Sequence, residues 1–184
     1  MTQEQVREYA YGRGFRPQTL ARLLGWNPPD SAALGRLAVA LKISENHLRD
    51  LMDWLEEIAL RDGRSIDVIL ADKVITDIET NPRLGRADKL KRIKEEVRRR
   101  RFPRLAQTED TLRTRIAELR LQPEIVLSAP SGLEGGRLRV EFSASSQQEL
   151  QRLAAKLLDA AGNDATREAF ALLAGVSADE TLNG

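Results

Sequence analysis

The chain has no cysteine, a single histidine and only 4% aromatic residues. Without cysteine there are no disulfides, thiolate metal sites or thiol nucleophiles. With His47 alone, one chain cannot assemble a two-histidine dyad, a His-rich metal site or a zinc-protease motif. His47 stands three residues past Ser44, at an expected helix start, and reads as a surface or capping residue. The acid pairs Glu56-Glu57 and Glu95-Glu96 are sequence neighbours on expected helices, so they point different ways and signal no glycosidase-like carboxylate pair. A Gly-rich phosphate loop is also missing, so nucleotide hydrolysis is not implied. The expectation is a protein with no catalytic residues, no metal and no cofactor. No apolar run approaches the roughly 20 residues of a membrane span. The N-terminus MTQEQVREYA is polar, unlike a signal peptide, so a cytoplasmic location with no membrane partner is expected.

Hydrophobic residues make up 41% of 184, enough for a core in one ordinary domain or two small ones. With so few aromatics, Leu, Ile, Val and Ala must do the packing. Together with 31% charged residues, this points to a mainly α fold. The charge is unevenly spread. Residues 83–104 hold eleven basic side chains against three acids, a net of +8. Residues 1–82 hold ten against thirteen and residues 105–184 eight against twelve, nets of −3 and −4. The total of +1 thus hides a cationic segment between two mildly acidic ones, the footprint of a nucleic-acid or other polyanion partner.

That segment follows the turn signal Asn81-Pro82. It reads as a helix from Ala87 to Arg101, with Asp88 near its start and Pro103 ending it. Leu90, Ile93 and Val97 form one narrow apolar stripe, so the helix must lie on something. The four arginines Arg98 to Arg101 suit the C-terminal end of the helix dipole, yet repel one another unless counter-ions or phosphates sit nearby. Lys91, Arg92, Lys94, Arg98, Arg99, Arg100 and Arg101 are therefore the candidate DNA contacts. The competing reading is a solvated helix laced with salt bridges.

Residues 1–82 read as a helical domain with helices at Gln3 to Tyr11 and Pro17 to Leu24, then a break at Asn27-Pro28-Pro29-Asp30. A helix from Ala32 to Leu41, capped by Asp30 or Ser31, is followed by the turn Lys42-Ile43-Ser44. A second helix then runs from Glu45 to Arg61 with Ser44 as cap and Gly63 as stop, which is the layout of a helix-turn-helix. In such a unit Asn46 and Arg49 have the donor geometry to read bases. Over Glu45 to Asp62, however, six acids face two arginines, a net of −4 that phosphate repels. A protein partner at this acidic face is the alternative. Trp26 and Trp54 lie beside apolar helical positions and read as core anchors. Ser65 to Thr80 reads as one helix burying Ile66, Ile69, Leu70, Val74 and Ile78. Residues 83–104 then form a basic helical linker.

Residues 105–162 change period and read as a small α-β-β-α domain. It comprises a helix to Leu121, a strand over Glu124 to Ala129, a Gly-rich loop, an alternating strand from Arg137 to Ala144, and a Ser-capped leucine helix from Gln147 to Ala161. Two strands leave unpaired edges and a wide leucine stripe, so the unit is expected to complete itself against a second copy. Residues 163–184 hold a short helix from Ala165 to Leu173, capped by Asp164, and a tail that frays from Gly175.

The stretch GGRLRVEFSASSQQELQRLAAKLL, Gly135 to Leu158, resembles the C-terminal domain of the chromosome-partitioning ParB proteins. In that family a Gly-rich hairpin, a strand of alternating Arg and apolar residues ending in Glu-Phe, a Ser-rich cap and a leucine helix recur in this order. The helix-turn-helix is similar in layout only, and residues 1–63 do not match the family's N-terminal nucleotide-binding clamp. The resemblance implies a homodimer built on Leu138, Val140, Phe142, Leu150, Leu153 and Leu157, with Arg137 and Arg139 contacting DNA near the sheet. The expected function is a dimeric, ParB-like DNA-binding protein. The alternative is a homodimeric protein-interaction scaffold that binds no nucleic acid.

Overall fold

In the computed structural model, which describes residues 2–175, the chain is mainly helical. Ten α-helices and one two-stranded antiparallel sheet are present among the described residues. They divide between Phe102 and Pro103 into two compact units. No helix among the described residues is long and apolar enough to cross a membrane. The tail expected beyond Gly175 lies outside the described residues.

The helical unit holds α1 (Gln3–Gly12), α2 (Pro17–Leu24), α3 (Pro28–Leu41), α4 (Glu45–Asp62), α5 (Ile66–Leu70), α6 (Lys73–Thr80) and α7 (Arg86–Arg101). The expected break at Asn27 to Asp30 is instead the first turn of α3. Asn27 caps it by accepting from the Asp30 N–H, and Pro28 and Pro29 occupy the first turn, where no intrahelical N–H is needed. The single helix expected over Ser65 to Thr80 is two, interrupted at Ala71-Asp72. Asp72 caps α6 by accepting from the Val74 N–H. The interruption resets the helical register: Ile75 is buried in place of Val74, which stays exposed.

One core runs through this unit, with Leu34, Ile43, Leu51, Met52, Leu55, Ile58 and Ile75 at its centre. Trp26 and Trp54 pack against it partly buried. The basic segment belongs to this core. Ile93 and Val97 of α7 are 0% exposed, and α7 packs against α4, α6 and α3. The segment read as a linker is thus a structural helix of the unit, because its narrow apolar stripe found its cover within residues 2–102.

The C-terminal unit holds α8 (Pro103–Glu118), β1 (Val126–Ser128), β2 (Arg139–Glu141), α9 (Gln147–Ala161) and α10 (Asp164–Leu173). The strands pair antiparallel, Val126 with Glu141, Leu127 with Val140 and Ser128 with Arg139. Ser146 caps α9 by accepting from the Glu149 N–H. The apolar interior is split in two. Leu121, Ile125, Leu153 and Ala160 form one small cluster, and Leu112, Ala169 and Leu173 form the other.

Candidate functional site

α4 and α7 face each other in the same direction along their axes, as their ion pairs show. Lys94 Nζ lies 2.7 Å from Asp50 Oδ2, and one heptad further along both helices Arg101 forks onto Glu57, with Nη2 donating to Oε1 at 2.7 Å. Pairs one heptad apart beside an apolar seam are the arrangement that fixes partner and direction in coiled coils. Lys94 Nζ also lies 3.0 Å from His47 Nδ1 and 5.1 Å from the Trp54 ring centre. On the opposite flank of α7, Arg100 donates to Asp72 Oδ1 at 2.8 Å and to Glu96 Oε1 at 2.7 Å. Burial works to lower the Arg100 pKa, but its hydrogen bonds to Asp72 and Glu96 outweigh that and raise it. The same contact with Arg100 leads in holding the Asp72 carboxyl below the usual carboxylate range.

The cations therefore do not all point at solvent. Lys94, Arg100 and Arg101 are tied to carboxylates of other helices in the unit, and Arg98 pairs with Glu95 one turn back. Arg99 is half-buried and not free. Lys91 and Arg92 are exposed and carry no ion pair among the described residues. The repulsion expected among Arg98 to Arg101 is thus relieved in large part by the fold's own acids.

The acids of α4 are spent in the same way. Arg22 of α2 reaches Asp53 Oδ1 and Glu56 Oε2, each at 2.6 Å, and the Trp26 indole N–H donates to Glu56 Oε1 at 2.7 Å. The Glu56 hydrogen bond, ahead of the Asp53 bond, raises the Arg22 pKa against desolvation and locks its charge. Glu45 Oε1 accepts from the Arg16 N–H at 3.1 Å and from Thr19 Oγ1 at 2.6 Å, at the start of α2. Asp62 pairs with Arg61. Each of the six acids that make α4 negative has a partner within the unit, while Asp53, Glu57 and Asp62 remain exposed.

Asn46 and Arg49 project from the first turns of α4, exposed. Arg49 lines a cavity of about 390 Å³ with Arg16, Gln18, Thr19 and Arg22. Arg13 donates through Nη2 to the Lys42 carbonyl at 3.3 Å and so sits by the α3–α4 turn. The exposed cations at this end, Arg16 and Lys42 besides Arg49, were not singled out by composition because they are scattered through an acidic stretch. Helical spacing alone assigns Arg49 to an exposed face, but only the packing of α2 on α4 brings Arg16 to it.

In the C-terminal unit the six residues expected at a dimer interface divide. Leu153 is buried in its own chain's core, and Leu138 and Leu157 are half-buried against the two clusters. Val140, Phe142 and Leu150 remain 42%, 37% and 48% exposed, joined by Leu158 at 76%. Every residue of β2 is exposed, and its edge away from β1 carries no strand among the described residues. Arg137 and Arg139 are exposed beside it, and Arg139 lies 2.6 Å from Glu141 of its own strand.

Compared with family models, curated proteins and solved structures, the chain has no match.

Proposed function

We propose that the protein is a cytoplasmic, non-enzymatic homodimer that binds nucleic acid through cations of its helical unit and self-associates through β2 and α9. The observation that carries the dimer is the strand itself. Leu138 to Phe142 reads LRVEF, and an antiparallel pairing of two copies about Val140 sets Arg139 against Glu141 and Leu138 against Phe142 across the two-fold axis. A strand whose charges and apolar residues complement themselves in this register, with no strand on its outer edge among the described residues and exposed leucines on the neighbouring helix, is suited to a second copy of the same chain. This is also the stretch on which the resemblance to ParB proteins rests.

Charge supports the nucleic-acid part. Residues 1–102 hold twenty basic against sixteen acidic side chains, a net of +4. After the ion pairs are formed, Arg16, Lys42, Arg49, Lys91 and Arg92 stay exposed without one among the described residues. Doubling such a unit in a dimer raises apparent affinity for a polymer by avidity. The second reading, a homodimeric scaffold without nucleic-acid binding, draws on the in-fold pairing of Lys94, Arg100 and Arg101.

Sedimentation velocity combined with fluorescence anisotropy on duplex DNA at two salt concentrations separates these readings. The proposal expects a two-chain particle whose DNA affinity falls steeply with salt. A two-chain particle that ignores DNA at low salt is the scaffold, and a single-chain particle removes both.

A further inference from the structure

We propose that the cavity between the first turns of α2 and α4 seats a phosphate group of a nucleic-acid backbone, with Arg16 and Arg49 as its principal grips. The inference rests on the nucleic-acid reading above and names the place where that reading acts.

Three guanidinium-bearing residues, Arg16, Arg22 and Arg49, line the cavity with Gln18 and Thr19, and no carboxylate is among its lining residues. Arg22 is committed to Asp53 and Glu56. Arg16 and Arg49 make no direct ion pair among the described residues; Glu45 lies within electrostatic reach of both without closing a contact to either guanidinium. Two like charges lining one small cavity repel, and an anion placed between them turns that repulsion into attraction. A planar guanidinium fork also matches the oxygens of phosphate better than an ammonium does.

One carboxylate stands beside the cavity. Glu45 accepts from the Arg16 N–H and the Thr19 hydroxyl at the start of α2, so those donors are taken and the phosphate would be held by the side chains of Arg16 and Arg49 against the charge of Glu45. The Thr19 hydrogen bond, with smaller help from Arg16 and Arg49, keeps the Glu45 carboxyl below its ordinary range. Gln18 adds an exposed amide to the rim, and Asn46 stands exposed on the same first turn of α4 as Glu45. A volume of about 390 Å³ falls in the size range of small-ligand sites, ample for one phosphate with its sugar. The outer face of α7 offers Lys91 and Arg92 to solvent, and neither lines this cavity.

The test uses the full-length chain and two double variants, Arg16→Ala with Arg49→Ala and Lys91→Ala with Arg92→Ala. All four side chains are exposed, so circular dichroism should show both variants folded. The probes are a short mixed-sequence duplex, read by anisotropy over a salt series, and inorganic pyrophosphate, read by calorimetry at low salt. Loss of Arg16 and Arg49 is expected to weaken duplex binding at least about tenfold and to lower the salt slope by about two. The same variant should abolish pyrophosphate binding, while the Lys91 and Arg92 variant keeps it. Duplex binding unchanged in the Arg16 and Arg49 variant overturns the site and leaves the nucleic-acid reading standing. Pyrophosphate bound through these two arginines by a protein that ignores the duplex upholds the phosphate seat, assigns it to a small ligand and overturns the nucleic-acid reading. Binding of neither probe by the wild type overturns both.

Discussion

The two units solve the same packing problem differently. In residues 2–102 the apolar stripe of every long helix finds cover within the unit, down to the narrow stripe of α7, where Ile93 and Val97 are fully buried. In residues 103–175 the apolar residues fall into two small clusters, and Val140, Phe142, Leu150 and Leu158 are left outside. Charge follows the same division. The helical unit matches its acidic helix to its basic ones internally, whereas β2 carries a charge pattern that complements another copy of itself. The helical unit leaves Tyr11, Leu60, Val68, Val74 and Phe102 exposed around one continuous core, whereas the C-terminal unit leaves its exposed apolar residues beside two small ones.

If α7 belongs to the core of the helical unit, the largest single loss of stability should come from its seam. Ile93→Ala removes a fully buried side chain between α4 and α7 and is expected to cost about 3 kcal/mol, read as a lower urea midpoint with the chain still paired. The complementary change belongs to the C-terminal unit. Leu150→Lys with Leu158→Lys should weaken self-association at least about 100-fold, some 2.7 kcal/mol, in sedimentation equilibrium. Both side chains are already exposed, so the urea midpoint of the helical unit should not move. Were the double variant to stay paired, α9 would have no part in holding the copies together.

Arg100→Ala sharpens the claim that the basic helix is answered from within. It strips Asp72 and Glu96 of a shared partner in a partly buried setting and should cost about 1–2 kcal/mol. Duplex affinity should stay close to wild type. A large loss of affinity with little loss of stability would return Arg100 to the nucleic-acid surface.

The smallest effect concerns pH. Arg152 and then Lys156 hold the Glu124 carboxyl down to about 2 from an ordinary 4.5. A carboxyl depressed in the folded state favours folding wherever it is ionised, so its contribution is complete above pH 4.5 and drains away as the pH falls toward 2. Glu124→Gln should flatten that part of the stability profile of the C-terminal unit and leave the helical unit's profile alone.

What could be seen in the sequence was what is decided locally. The helix over Gln147 to Ala161 carries its own serine cap, the helix over Pro17 to Leu24 its own leading proline and closing Gly25, and both stand where those signals put them. The mainly helical class follows for the same reason, and the two strands form within the expected stretches but span only Val126–Ser128 and Arg139–Glu141 rather than Glu124 to Ala129 and Arg137 to Ala144. The break between α5 and α6 is signalled locally by Asp72, which accepts from the Val74 N–H, but it is masked by the helical spacing that Ile66, Ile69, Leu70, Val74 and Ile78 keep across it. The block of cations on α7 was plain in the composition, but the nature of its counter-ions was not. The partners of Lys94 and Arg101 stand 44 residues distant, and a carboxylate of the fold answers a charge as well as a phosphate does. The cavity at Arg16 and Arg49 was invisible for the same reason, since it is made by the docking of α2 on α4.

The self-pairing of β2 is open to a direct test because the chain has no cysteine of its own. In an antiparallel pair centred on Val140 the two copies of that residue lie opposite each other, at a Cα separation of roughly 5 Å that a disulfide can span. Under mild oxidation, Val140→Cys should convert to a covalent two-chain species while Ser128→Cys, on the strand behind, stays single. A Val140→Cys protein that remains a single chain, or one that cross-links no faster than Ser128→Cys, would contradict the account.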